Sequence, residues 1–184
     1  MIIGITGTDG AGKGEVVKYL TEQHNFIHYS ARALITEAVK DRGLEPSRKN
    51  FRLTANDLRR QHGNDFIVKE TFKKIVAEGA MNAVIESIRT TAETETLKKE
   101  GGILIAVDAD QALRYRRIKK RQSESDHISL AEFKQQEELE MNDPDPNGMQ
   151  KAAVMAVADH TIINDGTLAT LHKKIEQTLK QLIH

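Results

Sequence analysis

The sequence predicts an α/β fold, a five-stranded parallel sheet flanked by helices. Three observations carry that expectation. Short apolar runs suited to strands buried on both faces recur along the chain. Stretches with apolar residues at steps of three and four separate them. The first run leads through a glycine-rich turn into a helical segment, and alternation of these two periods is the pattern of a doubly wound sheet.

The elements follow in chain order. Ile2 to Thr6 forms the first strand, the turn from Gly7 to Gly14 follows, and Val16, Val17 and Leu20 give the next helix its inner face. Phe26 to Tyr29 is the second strand. From about residue 30 to 80 two or three polar helices are expected, broken at Gly43 and Pro46, with Ser47 or Thr54 capping the next one. Ala83 to Ile85 and Ile103 to Val107 are the third and fourth strands. Residues 114–147 are highly charged and end in Asn142-Asp143-Pro144-Asp145-Pro146-Asn147-Gly148, which cannot continue a helix. Thr161 to Ile163 closes the sheet, and Leu168, Leu171, Ile175, Leu179 and Leu182 mark the core face of the last helix. The two polar insertions flank the carboxyl ends of the strands, where open α/β sheets bind ligands. They are expected to be a substrate clamp and a lid on a single domain.

Composition narrows the chemistry. The 184 residues suffice for one domain with a substantial core. With 27 basic and 27 acidic residues the chain exerts no global pull on nucleic acid or membrane, so any anion site must be local. Cysteine is absent, which excludes disulfides, thiolate metal sites and thiol nucleophiles. No apolar run approaches the roughly 20 residues that cross a bilayer. A soluble cytoplasmic protein is the expectation.

Gly7-Thr8-Asp9-Gly10-Ala11-Gly12-Lys13-Gly14 fits the phosphate-loop pattern G-x-x-x-x-G-K-[ST] except at its last position. Such glycines let consecutive backbone N–H groups converge on phosphate oxygens, and the helix starting at Lys13 adds its positive end. Gly7, Thr8, Asp9, Gly10, Ala11, Gly12, Lys13, Gly14 and Glu15 are therefore the expected nucleotide-binding residues. Gly14 stands where a hydroxyl would normally hold Mg²⁺; Glu15, next to it, suits either water-mediated metal binding or the helix N-terminus as a favourable charge.

A phosphate loop implies phosphoryl transfer, which needs positive charge over spreading negative charge, and arginine is the suitable residue. Arg114, Arg117 and Arg121 share one helical face after the fourth strand. Glu86, at the tip of the third strand, is the metal-side candidate, and Arg89 would reach the acceptor; a mutual surface ion pair is the alternative for these two. Ser30, Arg32, Arg59 and Arg60 lie in the first insertion. Asp108 and Asp110 suit turn or capping roles, and Glu137, Glu138 and Glu140 read as a solvated helix face.

The chain resembles a family of small P-loop nucleotide kinases related to adenylate kinase and to dephospho-CoA kinase. Gly-Lys-Gly-Glu at 12–15, Arg-Gly-Leu-Glu-Pro at 42–46, Asn-Asp-Leu-Arg at 56–59, Glu-Ser-Ile-Arg at 86–89, the arginine series and the stretch 158–167 carry the resemblance. It implies a P-loop NTPase fold using ATP and Mg²⁺. It also implies that Arg117 and Arg121 belong to a lid over ATP, that the neighbourhood of Asn164 passes the adenine, and that Arg59 contacts the acceptor. Two departures bear on the acceptor. Thr36 stands where adenylate kinases place an arginine, and Ser30-Ala31-Arg32 stands where dephospho-CoA kinases place acidic residues that activate a hydroxyl.

Lys13, Arg89, Arg117 and Arg121 are thus expected to be catalytic, Ser30, Arg32, Arg59 and Arg89 to bind the acceptor, and Glu86 with Glu15 to serve the metal. A phosphate acceptor is already ionised and needs no base, which favours a small-molecule nucleotide, a nucleoside or deoxynucleoside monophosphate. A hydroxyl kinase like dephospho-CoA kinase, or a nucleotide-binding module that hydrolyses ATP slowly, are the alternatives.

Overall fold

The computed structural model describes residues 1–121 and 128–182. Five strands, β1 (Ile2–Gly7), β2 (Ile27–Ser30), β3 (Ala83–Glu86), β4 (Ile103–Asp108) and β5 (His160–Ile163), form one sheet. The order is β2-β3-β1-β4-β5, with every neighbouring pair parallel. All five expected strands are present, four with one end shifted by a residue and β2 with both.

Alternation along β1 divides the core between two faces. Ile3 and Ile5 face α1 (Lys13–His24) and α9 (Leu168–Leu182), where Val16, Val17, Leu20, Leu171, Ile175 and Leu179 bury against them. Leu168 departs from the expected stripe: it is 52% exposed, because the first residue of α9 precedes the point where the helix docks. On the opposite face Ile85 and Leu104 pack against α4 (Phe66–Ala77), α5 (Thr91–Lys99) and α8 (Lys151–Ala156) through Val68, Ile75, Leu97 and Val154.

The first insertion holds three helices, α2 (Ala31–Asp41), α3 (Arg48–His62) and α4. Ser47 caps α3 by accepting from the Asn50 N–H at 3.2 Å, while Thr54 is buried inside that helix. The second insertion contains α6 (Gln111–Arg121) and α7 (Leu130–Met141); residues 122–127 of the expected lid lie outside the described residues. After α7 the Asp-Pro-Asp-Pro turn is tied to α3. Arg52 donates to Asp143 Oδ2 at 3.1 Å, Arg60 to Asp145 Oδ2 at 3.0 Å and the Asn64 amide to the Pro146 carbonyl at 3.1 Å. The two insertions therefore touch each other across the carboxyl edge of the sheet. Among the described residues no helix is long and apolar enough to cross a membrane.

Candidate active site

Register brings three strand ends together. Ile5 of β1 lies opposite Glu86 of β3, Gly7 opposite Val107 of β4, and Ser30 of β2 opposite Glu86. The loop after β1 thus emerges between Glu86 on one side and Asp108 on the other. Three of its glycines, Gly7, Gly10 and Gly12, are forced. A Cβ on Gly7, at φ +130, would lie 1.9 Å from the Val107 carbonyl oxygen; one on Gly12, at φ +100, would lie 2.5 Å from the Asn164 side-chain amide.

That second contact gives Asn164 a role on the loop itself. Its side chain is buried and donates to the Ala11 carbonyl at 2.8 Å, so it braces the loop. Thr8 is held likewise, donating from its hydroxyl to Asp108 Oδ1 at 2.5 Å. Asp110 accepts from the Leu113 N–H and caps α6 as expected. With the loop braced, the start of α1 is fixed beside it: the Glu15 N–H donates to the Gly12 carbonyl at 3.0 Å, and the positive end of the helix lies at the loop.

Lys13 folds back over this loop. Its ammonium donates to the carbonyls of Gly7 at 3.0 Å and Thr8 at 2.7 Å and lies 3.3 Å from Asp9 Oδ1. Burial pulls its pKa from 10.5 down to about 8; Lys151 and Arg89 push the same way, and Asp9 opposes them. Burial alone would raise the Asp9 pKa, yet the charges of Lys151, Lys13, Arg89 and Arg48 more than reverse this and hold it well below the usual carboxylate range.

More cations converge here than the sequence pattern indicated. Lys151 of α8 lies 3.3 Å from Asp9 and pairs with Glu140 of α7. Arg48 at the start of α3 lies 3.4 Å from Asp9, and Arg89 lies 3.8 Å from Glu140. Arg32 stacks on Phe51, 4.3 Å from the ring centre. Burial lowers its pKa, and the neighbouring charges of Arg89, Arg48 and Arg121 add to the effect. The charge of Arg121, at the end of α6, is thus felt at Arg32 in the first insertion. Arg117 buries Nη1 with no hydrogen-bond partner among the described residues.

Three expectations are corrected. Arg59 is 2% exposed and donates through Nε and Nη2 to Glu93 Oε1 at 3.1 and 2.9 Å, so its charge is spent on α5. Arg114 shares the helical spacing of Arg117 and Arg121 but is spent elsewhere. It is buried, forks onto Glu137, and donates to the carbonyls of Ala109 and Asp9. Glu137 and Glu140 are consequently no solvated face; both turn inward onto cations. Among the described residues Glu86 and Arg89 form no ion pair, so the alternative reading of these two falls away and the expectation for them stands. Glu86 accepts from His28 at 3.1 Å, which with Lys13 and Arg89 nearby and against the effect of burial keeps it below the usual range. Ser87 between them has φ +77, a conformation non-glycine residues rarely adopt and one that recurs at functional sites. It turns the chain so that Arg89 points at the cluster.

Lys151 and Arg48 were missed because an isolated lysine or arginine in sequence carries no mark of burial. Of the expected metal residues, Glu86 is half-buried and ionised beside the loop, whereas Glu15 is exposed on α1. Among the described residues no three His, Cys, Asp or Glu side chains form a metal cluster. Glu86, whose carboxyl is kept ionised beside the loop, is the residue that would hold Mg²⁺ together with substrate phosphates.

Lys13 gives the site a pH signature. Its folded pKa lies below the unfolded value, so between pH 8 and 10.5 the unfolded chain binds more protons and this group makes stability rise with pH. A polyphosphate bound beside it raises the pKa again. Calorimetry with tripolyphosphate at pH 8.5, in buffers of different ionisation enthalpy, should show proton uptake that shrinks toward pH 7; release or constancy would contradict this electrostatic picture.

The strand order, the loop-to-helix turn at Lys13 and the cations around it define a P-loop kinase-type fold. A family model described as an AAA domain matches residues 3–143. A UPF0200 protein of Methanothermobacter thermautotrophicus is 31% identical over 184 residues, spanning 99% of this chain and 90% of that one. This chain belongs to the UPF0200 family. Among solved structures, shikimate kinase from Bacteroides thetaiotaomicron superposes with a TM-score of 0.62 at 16% identity, covering 98% of both chains. A gluconokinase from Sinorhizobium meliloti 1021 does so with a TM-score of 0.60 at 14% identity, covering 98% of this chain and 91% of that one. These likenesses define the fold.

Proposed function

We propose that this protein is an ATP-dependent phosphotransferase whose acceptor already carries a phosphate, most simply a nucleoside or deoxynucleoside monophosphate. One observation carries the choice of acceptor. The carboxylate at the centre of the site, Asp9, is held ionised by Lys151, Lys13, Arg89 and Arg48, which makes it a poor base for a hydroxyl. Arg32 lies in the field of Arg89, Arg48 and Arg121, a concentration of guanidinium charge suited to a dianionic group.

In this reading residues 30–80 bind the acceptor and 114–147 cover the nucleotide. Lys13 leaves the loop carbonyls for the β and γ phosphates, and Arg89, Arg117 and Arg121 stabilise the transferring group. Mg²⁺, when bound, supplies charge neutralisation between the phosphates. The space between Asp9, Arg48, Phe133, Glu137, Glu140 and Lys151 is about 10 Å³, roughly one water, so α7 must lift for a triphosphate to enter. Its return excludes water and favours transfer over hydrolysis.

An acceptor panel with Mg-ATP tests the reading. ADP release is expected to be stimulated by one or more nucleoside monophosphates and not by dephospho-CoA, shikimate or gluconate. Stimulation by a hydroxyl acceptor alone, or release independent of any acceptor, would replace it.

A further inference from the structure

We propose that Lys151 is a second phosphate-gripping lysine, which closes with Lys13 on the γ-phosphoryl group of the nucleotide; this rests on the kinase reading above. The geometry is specific. The ammonium groups of Lys13 and Lys151 approach the same oxygen, Asp9 Oδ1, each at 3.3 Å. Two ammonium groups converging on one anionic oxygen reproduce what a phosphoryl oxygen between them would experience. Glu140 supplies Lys151 with a second carboxylate. Asp9 and Glu140 thus stand where phosphate oxygens would meet these ammonium groups.

A purely structural role explains the arrangement less well. The Lys151 side chain is 2% exposed, and removing an ammonium from water to pair it with carboxylates seldom stabilises a fold more than apolar packing does. The short helix α8 already has such packing through Val154, which is fully buried. Its entry is fixed independently. The Gln150 N–H donates to the Arg89 carbonyl at 2.8 Å, and the Gln150 side chain accepts from the Thr91 hydroxyl at 3.1 Å. Lys151 and Arg89 are therefore mounted on one joint and reach the loop from the side opposite α1.

The chemistry assigns Lys151 its moment of action. As the bond from the γ phosphorus to the β–γ bridging oxygen breaks, and an acceptor phosphate oxygen bonds to that phosphorus, charge passes to ADP while the γ oxygens stay anionic. No proton is required. An ammonium on the γ oxygens stabilises ATP and the transition state but has nothing to hold in ADP.

Calorimetry with ADP and with the imido-bridged, non-hydrolysable ATP analogue, both with Mg²⁺, tests this on the whole protein. Lys151→Gln is expected to weaken the analogue about tenfold or more, the loss of one charge-assisted hydrogen bond, while ADP affinity stays within about twofold on the same grounds. Lys151→Arg should restore the preference in part. Glu140→Gln, which releases Lys151 from its carboxylate and keeps the residue's shape, should strengthen the analogue relative to ADP, and it serves if Lys151→Gln fails to fold. Equal effects on both ligands, or none, from these variants would overturn the proposal while leaving the kinase reading intact. A wild-type protein that binds neither ligand would remove that reading and the proposal together.

Discussion

Lys13→Ala is expected to lower nucleotide turnover by about 100-fold to 1,000-fold, the usual cost of removing one group aimed at developing charge, without unfolding the protein. The two halves of that expectation have separate causes. Lys13 is the one cation that reaches the loop from the start of α1, so its loss leaves the loop amides as the only local positive charge on that side. Its depressed pKa of about 8 means that the folded chain disfavours its ammonium relative to water. Removing a group that the fold disfavours does not destabilise the fold. Asp9 also keeps Lys151 and Arg48 at 3.3 and 3.4 Å, so no bare carboxylate is left. Turnover by coupled ADP detection and a thermal melt on the same sample check both halves. Unchanged kinetics would remove the proposed mechanism.

Arg59→Ala is expected to do the reverse, costing about 3–5 kcal/mol of stability because it strands a buried carboxylate, and lowering the melting temperature by about 10 °C. Glu93, 1% exposed, would lose both Arg59 contacts. It would keep its bonds to the Arg89 and Thr90 N–H groups at 2.7 and 3.1 Å. The double change Arg59→Met with Glu93→Gln should recover much of the loss, since it removes both charges and retains a side chain suited to the capping box at Thr90. An Arg59→Ala protein with an unaltered melt and a raised acceptor KM would return Arg59 to the acceptor site, where the resemblance to nucleotide kinases had put it.

Legibility in the sequence followed the range of the interaction. The strands were readable because a parallel strand buried on both faces must be apolar throughout, as Ile3, Ile5, Val84, Ile105 and Val107 are. The loop was readable because backbone convergence on an anion demands glycine at fixed spacing, and Gly7 and Gly12 indeed have no room for a side chain. Asp110 and Ser47 were readable as caps, since a cap is satisfied three residues away.

What sequence by itself determined, then, was the sheet, the phosphate loop with Lys13, and a site at the carboxyl edge. Tertiary structure alone decided which charges serve that site. The series Arg114, Arg117 and Arg121 has one helical spacing, yet Arg114 is spent on Glu137 while the charge of Arg121 acts on Arg32. Arg59 turns to Glu93, whereas Lys151, unremarked in sequence, enters beside Lys13. The physical reason is that a side chain's charge and spacing are the same in water and in a cleft. Its partner is set by distant segments, such as α7 and α8, that only packing brings to the loop.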